Sequence, residues 1–399
     1  MISIVIPTYN HLEDCLRPCL ESLLRYTDLS GIEVIIVCNG CTDGTKEYLK
    51  DKSVKVVWFD EGLGYTKAVN EGIKKTKGDK IVVLNNDTIL LEQPRNTWIK
   101  RLCDPLKDDV GVTGVRHMTD SASQRDFVVF FCAAFTRDIW NKCGPLNEEY
   151  SPGYGEDIEF CIKVNELGYR CISVAKDLGQ KGQYNISDFP IFHRPESTML
   201  DNEHKDNWYK VVERNRMKLE QKYRLPRGWF YGEDIKEYRR LVEDMPDNGW
   251  LCELGPAAGR SLCSVAEILK RKNINVVVVD TFEGTVTERK PGQGPDDYID
   301  ECKENFRRFG ILDRTKVIKG WTNEVYREME DHSFDLIFID CCHEYESVKE
   351  DIENWLPKLA KGGVVSGHDY YSWPGVGKAV NEKWNNVRVW GSVWSRRIW

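Results

Sequence analysis

The sequence has no apolar run near the roughly 18 residues that a membrane-spanning helix requires. Its longest apolar run, FVVFFCAAF at residues 127–135, has the length of a buried strand. A secretory leader is not expected either, because the chain opens directly on the strand-like ISIVIP. These absences predict a cytoplasmic protein and leave peripheral attachment to a membrane open.

The sequence also lacks a second CxxC motif and an excess of basic residues. Only one CxxC is present, at Cys38 and Cys41, and a structural zinc site of four cysteines needs a second. The 14 cysteines are scattered, which indicates reduced thiols packed in the fold rather than a disulfide scaffold. A formal net charge of -8 argues against non-specific binding of nucleic acid, although a local basic patch stays open.

The composition that remains is that of an ordinary globular protein, with 41% hydrophobic and 30% charged residues, and a length of 399 residues allows two to three domains. Apolar runs alternate with helical patterns in two successive series, which predicts two α/β domains. Pro226 and Gly228 interrupt the pattern between the series. We therefore predict domains at residues 1–225 and 226–399.

In the first series, polar side chains follow three of the predicted strands. A strand–helix alternation of this kind predicts a parallel sheet that binds its ligand at the carboxyl ends of the strands. The residues at those ends are Pro7, Thr8, Tyr9, Asn39, Asp43, Asn86 and Asp87.

Five ordered blocks carry a family resemblance in this half: IVIPTYN, VCNGCTDGT, GLGYTKAVNEGI, GDKIVVLNNDT and GYGEDIEFCIKVNELGYR. Over about residues 1–225 the chain resembles the family 2 glycosyltransferases of the GT-A fold. The resemblance implies a nucleotide-sugar donor, with Mg²⁺ or Mn²⁺ to neutralise its diphosphate. It makes Asp87 the metal carboxylate and places His193 at the metal or diphosphate. It also puts Asn39 and Asp43 in the base and ribose loop.

The acidic pair Glu156 and Asp157 follows a glycine turn and opens a predicted helix. An inverting sugar transfer needs a carboxylate that removes the proton of the attacking hydroxyl. By the resemblance, Asp157 is this base and Glu156 lies with it in the sugar-nucleotide site. The alternative is an acidic first helical turn without a chemical role.

In the second series, the sequence CELGPAAGRS at residues 252–261 follows a predicted strand and opens a helix. Gly255 and Gly259 allow a close backbone approach to a ligand, and Asp280 ends the next strand, where a carboxylate can accept ribose hydroxyls. The spacing lacks the full GxGxxG that seats a pyrophosphate. It therefore suits S-adenosylmethionine better than a dinucleotide.

The long block FIDCCHEYESVKEDIENWLPKLAKGGVVSGHDYYSWPGVGKAV extends this reading. Over about residues 232–399 the chain resembles the class I methyltransferases. The resemblance assigns Glu253, Gly255, Gly259, Ser261, Asp280 and Asp340 to the S-adenosylmethionine site. It makes His343 and His368 catalytic, and it lets Asp340 and Asp369 share a Mg²⁺ ion.

Together the two resemblances predict a bifunctional enzyme that transfers a sugar and O-methylates a glycan hydroxyl. The expected partners are a nucleotide sugar and a glycan, glycolipid or glycoprotein acceptor. Two alternatives stay open: one catalytic domain joined to an inactive scaffold, or a glycan-binding module that keeps both folds without turnover. The single acid of the Asn85-Asn86-Asp87 motif, where the family commonly has two, makes the first domain the one at risk of inactivity.

Overall fold

The computed structural model describes residues 1–121, 123–181, 184–194, 205–284 and 298–399, with the backbone alone at 177–181, 184–186, 205 and 206. The chain divides into two compact units, Met1–Tyr223 and Arg224–Trp399. A membrane-spanning helix is absent from the described part of the chain.

The first unit is built on one large mixed sheet with helices on both faces. Its strands are β1 Ile2–Thr8, β2 Ile32–Asn39, β3 Lys55–Phe59, β4 Lys80–Leu84, β5 Thr88–Leu90, β6 Val110–Gly114, β7 His117–Thr119, β8 Asp126–Val128, β9 Cys132–Thr136, β10 Arg170–Ser173, β11 Asp177–Lys181, β12 Tyr184–Ser187 and β13 Ile191–His193. Its helices are α1 Arg17–Tyr26, α2 Thr45–Leu49, α3 Tyr65–Lys74, α4 Thr97–Cys103, α5 Arg137–Cys143, α6 Glu156–Glu166 and α7 Lys205–Tyr223, with a π turn at Leu12–Leu16 and a 3₁₀ turn at Glu148–Tyr150.

The large sheet has the strand order β10-β6-β9-β4-β1-β2-β3. Strand β1 is buried on both faces because its successive side chains enter opposite cores. Ile4 and Ile6 pack in the core that holds α1 and α4, whereas Val5 packs with α3, α5 and α6. Strands β1, β2, β3 and β4 are parallel, so their carboxyl ends meet at one edge.

The four strands of the predicted series, β1 to β4, are parallel as expected, and strand β9 joins the sheet antiparallel to β4 and β6. The prediction of one strand at residues 127–135 is wrong, since β8 ends at Val128 and β9 begins at Cys132. The residues between them leave the strand pattern because their backbone bonds elsewhere: Val129 N donates to Arg116 O, and Phe131 O accepts from Asn85 N.

The second unit repeats the layered plan around the order β16-β15-β14-β17-β18-β20-β19. Its strands are β14 Trp250–Leu254, β15 Asn275–Asp280, β16 Thr315–Lys319, β17 Phe334–Ile339, β18 Leu359–Gly367, β19 Arg388–Trp390 and β20 Val393–Arg397. Its helices are α8 Gly232–Glu243, α9 Arg260–Ser264, α10 Ala266–Arg271, α11 Ile299–Arg308, α12 Thr322–Val325, α13 Tyr345–Trp355 and α14 Pro374–Lys383, with 3₁₀ turns at Leu312–Arg314, Tyr326–Glu328 and Leu356–Lys358.

Strands β14 to β18 of this sheet are parallel, and β20 closes the series antiparallel to β18. Alternate residues of β14 again supply both cores: Leu251 packs with α8 and α11, while Leu254 packs with α13 and α14. The carboxyl ends of β14, β15, β17 and β18 therefore lie side by side. This edge carries the predicted cofactor and reaction-centre residues of the second unit.

Candidate functional site

The central part of the first unit's strand edge is formed by the ends of β1 and β4. Asn86 Nδ2 donates to Thr8 Oγ1 at 3.0 Å, which ties the loop after β4 to the end of β1. Pro7 and Thr8 are buried, whereas Tyr9 is 37% exposed. Of these three consecutive residues, only Tyr9 exposes a large side chain at this edge.

Asn39 and Asp43 hold the neighbouring loops in place. Asn39 Oδ1 accepts from the backbone of Leu63 at 2.5 Å. Asp43 accepts from Leu12 N at 3.0 Å and from the Thr45 hydroxyl at 2.5 Å. Through these bonds both side chains stabilise the loops at the end of β2. Their recognition of base and ribose stays a prediction.

Asp87 and His193 lie together. Strand β13 pairs antiparallel with β5, which sets His193 opposite Thr88, one residue from Asp87. His193 Nε2 is 3.4 Å from Asp87 Oδ1, and the Arg194 backbone N–H donates to the Asp87 carbonyl at 3.0 Å. A carboxylate and an imidazole at this spacing fit a divalent cation that accepts oxygen and nitrogen ligands, such as Mn²⁺.

The acidic pair opens helix α6. Gly155 precedes it with φ 103°, a backbone conformation that favours glycine. Asp157 accepts from its own helix at Ile158 N (2.8 Å) and from Phe130 N (3.3 Å). Burial raises the pKa of Asp157, and burial together with the Asp157 charge raises the pKa of Glu156. Glu156 is only 5% exposed, so Asp157 is the more accessible acid.

The dipeptide Phe130–Phe131 contacts both the Glu156–Asp157 pair and the Asp87–His193 pair. The Phe130 backbone N–H contacts Asp157, and the ring of the next residue, Phe131, stacks on His193 with ring centroids 4.1 Å apart. Tyr65 donates its hydroxyl to Phe130 O at 3.0 Å. Burial, then the charges of Glu156, Asp157 and Asp87, raise the pKa of Tyr65.

Two residues of this site were missed from the sequence. Tyr65 is one, within the GLGYTKAVNEGI block. The other is Asn215 of α7, which is fully buried and donates Nδ2 to the carbonyls of Tyr150, Gly153 and Tyr154, just before the acidic pair. The four-residue steps from Val211 to Asn215 and Leu219 indicate the buried face of α7, but they do not reveal which carbonyls Asn215 contacts.

In the second unit, the glycine loop approaches the end of a neighbouring strand. Gly255 has φ 83°, and a Cβ added there would lie 2.1 Å from the carbonyl oxygen of Asp340. Gly259 also has φ 83°, and its Cβ would lie 2.5 Å from the Phe306 ring. Any side chain at either glycine would displace these neighbours. The loop therefore sits directly against Asp340, a predicted reaction-centre residue.

Glu253 and Ser261 contact each other below this loop. Glu253 is fully buried, and its two oxygens accept from Tyr238 Oη at 2.7 Å and from Ser261 Oγ. Burial raises the pKa of Glu253 to about 8 despite these bonds. Both side chains are engaged inside the protein. A direct contact of either with a cofactor stays a prediction.

Asp280 lies at the end of β15, beside the same loop. Its carboxylate accepts from the backbone of Ala257 at 3.0 Å and of Phe282 at 2.7 Å. Burial raises its pKa, and the Asp340 charge acts in the same direction. Asp280 thus connects the glycine loop to the segment that follows β15. A carboxylate at this position can also accept the hydroxyls of a ribose.

The predicted reaction-centre residues converge at the ends of β17 and β18. His368 Nδ1 is 3.6 Å from Asp340 Oδ1 and 3.2 Å from Asp369 Oδ2, and His343 Nε2 is 3.1 Å from Asp369 Oδ2. Ligand atoms of Asp340, His368 and Asp369 all lie within 4.8 Å of one another. Two carboxylates and one imidazole at this spacing fit a divalent cation. The ring of Trp373 stacks on His343 at 4.8 Å.

Two families match the chain over separate ranges. Residues 3–142 match glycosyl transferase family 2, and residues 252–370 match the methyltransferase domain family. The chain joins a family 2 glycosyltransferase domain to a methyltransferase domain. The predicted family resemblances and the predicted fold class, a GT-A domain followed by a class I methyltransferase domain, are confirmed.

Relatives are found for each half. The glycosyltransferase GlyG of Streptococcus pneumoniae is 34% identical over 107 residues, which is 26% of this chain and 35% of GlyG. Demethyldecarbamoylnovobiocin O-methyltransferase of Streptomyces niveus is 26% identical over 168 residues, 37% of this chain and 64% of that enzyme. The mannosyltransferase PcManGT of Pyrobaculum calidifontis, solved with GDP-Man and Mn²⁺, has 23% identity and a TM-score of 0.33, covering 43% of this chain and 54% of its own. The chain spans between 23% and 35% of the length of the first curated relatives it matches.

Proposed function

We propose that the first unit transfers a sugar from a nucleotide-sugar donor to an acceptor hydroxyl, with inversion at the anomeric carbon. The observation that supports this proposal is the Phe130–Phe131 step, whose two consecutive residues contact the candidate base Asp157 and the imidazole of the Asp87–His193 pair. Mg²⁺ or Mn²⁺ bound by Asp87 and His193 would neutralise the diphosphate leaving group.

In this proposal the residues at the strand ends have different roles. Asn39 and Asp43 form the base and ribose loop, while Pro7, Thr8, Tyr9 and Asn86 line the path of the nucleotide. Asp157 removes the acceptor proton as the hydroxyl attacks. Its backbone hydrogen bonds fix the carboxylate in one orientation, which keeps it aimed during the reaction.

The test for the first unit is release of nucleoside diphosphate from a panel of nucleotide sugars with Mn²⁺ and a glycan acceptor. We expect turnover with a donor of the panel in the wild type. Asp157→Asn should bind that donor without turning it over. The control Glu166→Gln alters an acid at the opposite end of the same helix, and it should retain transfer. Turnover by Asp157→Asn at the wild-type rate would remove Asp157 from the mechanism.

We propose that the second unit transfers a methyl group from S-adenosylmethionine to a hydroxyl of a glycan. The supporting observation is the contact between the glycine loop and the Asp340–His368–Asp369 cluster at Gly255. The likeness to an O-methyltransferase favours oxygen as the methyl acceptor. In this arrangement S-adenosylmethionine lies on the loop between Gly255 and Gly259, and Asp280 accepts its ribose hydroxyls.

A hydroxyl must lose its proton to attack the methyl group. His343 and His368 are the candidate bases, and Asp369 contacts both imidazoles, which orients them. Mg²⁺ held by Asp340 and Asp369 would lower the pKa of the acceptor hydroxyl instead. Glu253 and Ser261 support the loop from below in this proposal.

The test for the second unit is formation of S-adenosylhomocysteine with the glycosylated product as acceptor. Asp280→Ala should weaken S-adenosylmethionine binding by about 1–3 kcal/mol through lost charge-assisted hydrogen bonds. Asp369→Asn should bind the cofactor normally and lose methyl transfer. If the Asp157→Asn and Asp369→Asn variants each lose only their own reaction, both domains are catalytic. Absence of one reaction from the wild type with every donor and acceptor favours the alternative of an inactive scaffold domain.

A further inference from the structure

Three carboxylates from different parts of the second unit lie close to the ring nitrogens of His368. Its Nδ1 faces Asp340 of the β17 end and Asp369, and its Nε2 lies 3.3 Å from Asp234 Oδ2 on helix α8. The imidazole is only 6% exposed, and the Phe230 ring packs edge-on to it at 5.1 Å. The ring therefore has little freedom to turn. Its Nε2 makes no hydrogen bond of good geometry to the described residues, and Asp234 is its ion-pair neighbour on that side.

A neutral imidazole carries one N–H and one lone pair. With the proton on Nε2, toward Asp234, the Nδ1 lone pair faces the carboxylates of Asp340 and Asp369. A lone pair against two carboxylates is repulsive unless positive charge lies between them. A second proton on Nδ1 or a divalent cation bound by the three groups would supply that charge.

Asp234 is itself held in one orientation. Its Oδ1 accepts from the Ser392 backbone N–H at 2.7 Å, and its own N–H donates to Tyr231 O at 3.0 Å. These bonds fix the carboxylate between helix α8 and the β19–β20 turn, and leave Oδ2 directed at His368.

We propose that Asp234 is a positioning residue that orients His368 so that Nδ1 binds a divalent cation together with Asp340 and Asp369. With both His368 nitrogens engaged in this way, His343 is the base of the proposed methyl transfer. The inference rests on the proposed methyltransferase function of this cluster and adds to it a residue from outside the range that matches the methyltransferase family. A carboxylate behind a ligating histidine fixes the tautomer and increases the basicity of the ligating nitrogen. Removing such a carboxylate typically weakens metal binding about 10- to 100-fold.

The experiment measures Mn²⁺ binding to the full chain by the loss of the electron paramagnetic resonance signal of free Mn²⁺. Every variant carries Asp87→Asn, so that the cation site proposed in the first unit does not contribute. In this background we compare no further change, Asp234→Asn, Asp369→Asn and Glu233→Gln. Glu233 is the matched control because it accepts a hydrogen bond from Trp390 Nε1 beside the same turn at 2.7 Å and pairs with Lys236 on its own helix.

We expect Asp234→Asn to weaken Mn²⁺ binding about 10- to 100-fold, Asp369→Asn to abolish it and Glu233→Gln to leave it within about twofold. Binding of S-adenosylmethionine without metal should be equal in all four. Unchanged Mn²⁺ binding in Asp234→Asn, or equal weakening in Glu233→Gln, would overturn the proposal, because Asp234 would then only clamp the turn. Absence of Mn²⁺ binding in the Asp87→Asn reference would overturn it as well.

A second readout does not depend on the folding of any Asp234 variant. The chain has seven histidines, so ¹⁵N-histidine labelling gives a tractable spectrum, with His368 assigned by its loss in His368→Gln. With Mg²⁺ present, the ring should carry its proton on Nε2. A ring protonated only on Nδ1 would contradict the proposed orientation, whereas failure of methyl transfer with the expected tautomer would count against the proposed function alone.

Discussion

The Nε2 atom of His193 lies 3.4 Å from Oδ1 of Asp87, across the β5–β13 pair and against the Phe131 ring. Because Asp87 is the one acid of its motif, cation binding should depend on it strongly. We expect Asp87→Asn to abolish Mn²⁺-dependent donor binding and His193→Ala to weaken it. Isothermal titration with a nucleotide sugar, with and without Mn²⁺, measures both effects. S-Adenosylmethionine binding serves as the internal control and should not change.

Replacement of the candidate base should separate binding from chemistry. Asp157→Asn is expected to lower kcat for sugar transfer by at least about 10²-fold and to leave the donor Kd nearly unchanged. Burial raises the pKa of Asp157, so the acidic limb of the wild-type rate profile should lie above the ordinary aspartate range near pH 3.9. Loss of donor binding in the variant would make Asp157 a structural or metal residue.

Ionisation of the buried Glu156 carboxyl should lower the free energy of unfolding. Burial and the adjacent Asp157 raise its pKa, and its Oε2 has no hydrogen-bond partner among the described residues. The native state thus holds a proton that the unfolded chain releases, so this contribution to stability is full below the unfolded pKa and is lost as pH rises through the native pKa. Glu156→Gln should raise Tm more at pH 8 than at pH 5. An equal shift at both pH values would show that Glu156 does not ionise in this range.

Loop positioning by Asn215 can be tested without touching a reacting group. Asn215→Ala leaves the carbonyls of Tyr150, Gly153 and Tyr154 without their shared donor, which should cost about 1–3 kcal/mol of stability. Glycosyl transfer should fall as the loop before Asp157 loosens, while methyl transfer persists. The control Glu213→Gln changes an exposed residue of the same helix. Equal transfer rates in both variants would assign Asn215 to stability alone.

The start of the second unit can be tested by truncation. A fragment of residues 224–399 should be more stable than one of residues 228–399, because Leu225 is 4% exposed within the second unit's core and burying it contributes about 1.5–3 kcal/mol. The Arg224 and Pro226 carbonyls also accept bonds from Arg308 and Arg260. Chemical denaturation compares the fragments. Leu225→Ala in the longer fragment should reproduce most of the loss, and equal stability of the two fragments would contradict the argument.

The sequence was informative where local pattern decides the structure. The strand-like run ISIVIP predicted the first strand, and the motifs at the strand ends predicted which side chains share an edge. The same logic misread residues 127–135, because a run of apolar letters does not reveal that its middle bonds to Asn85 and Arg116 in other segments.

Residues that act across long separations could not be predicted in the same way. Asp234 reaches His368 over 134 positions of sequence, and Asn215 reaches Tyr150 over 65. Neither belongs to a recognisable motif. Each acquires its place only when packing of a whole helix fixes its register, which is a property of the tertiary core rather than of neighbouring residues.

The Phe130–Phe131 step has a consequence for engineering donor specificity. Because one peptide carries the contact to Asp157 and the next ring carries the contact to His193, a grafted loop must keep the number of residues between β8 and β9. A single insertion there would turn the Phe130 N–H or the Phe131 ring away from its partner. The spacing between Asp157 and His193 would then no longer be fixed by two consecutive residues. Under the proposed function, a substitution outside this step, such as at the exposed Tyr9, changes the strand edge and leaves the spacing of the two groups intact.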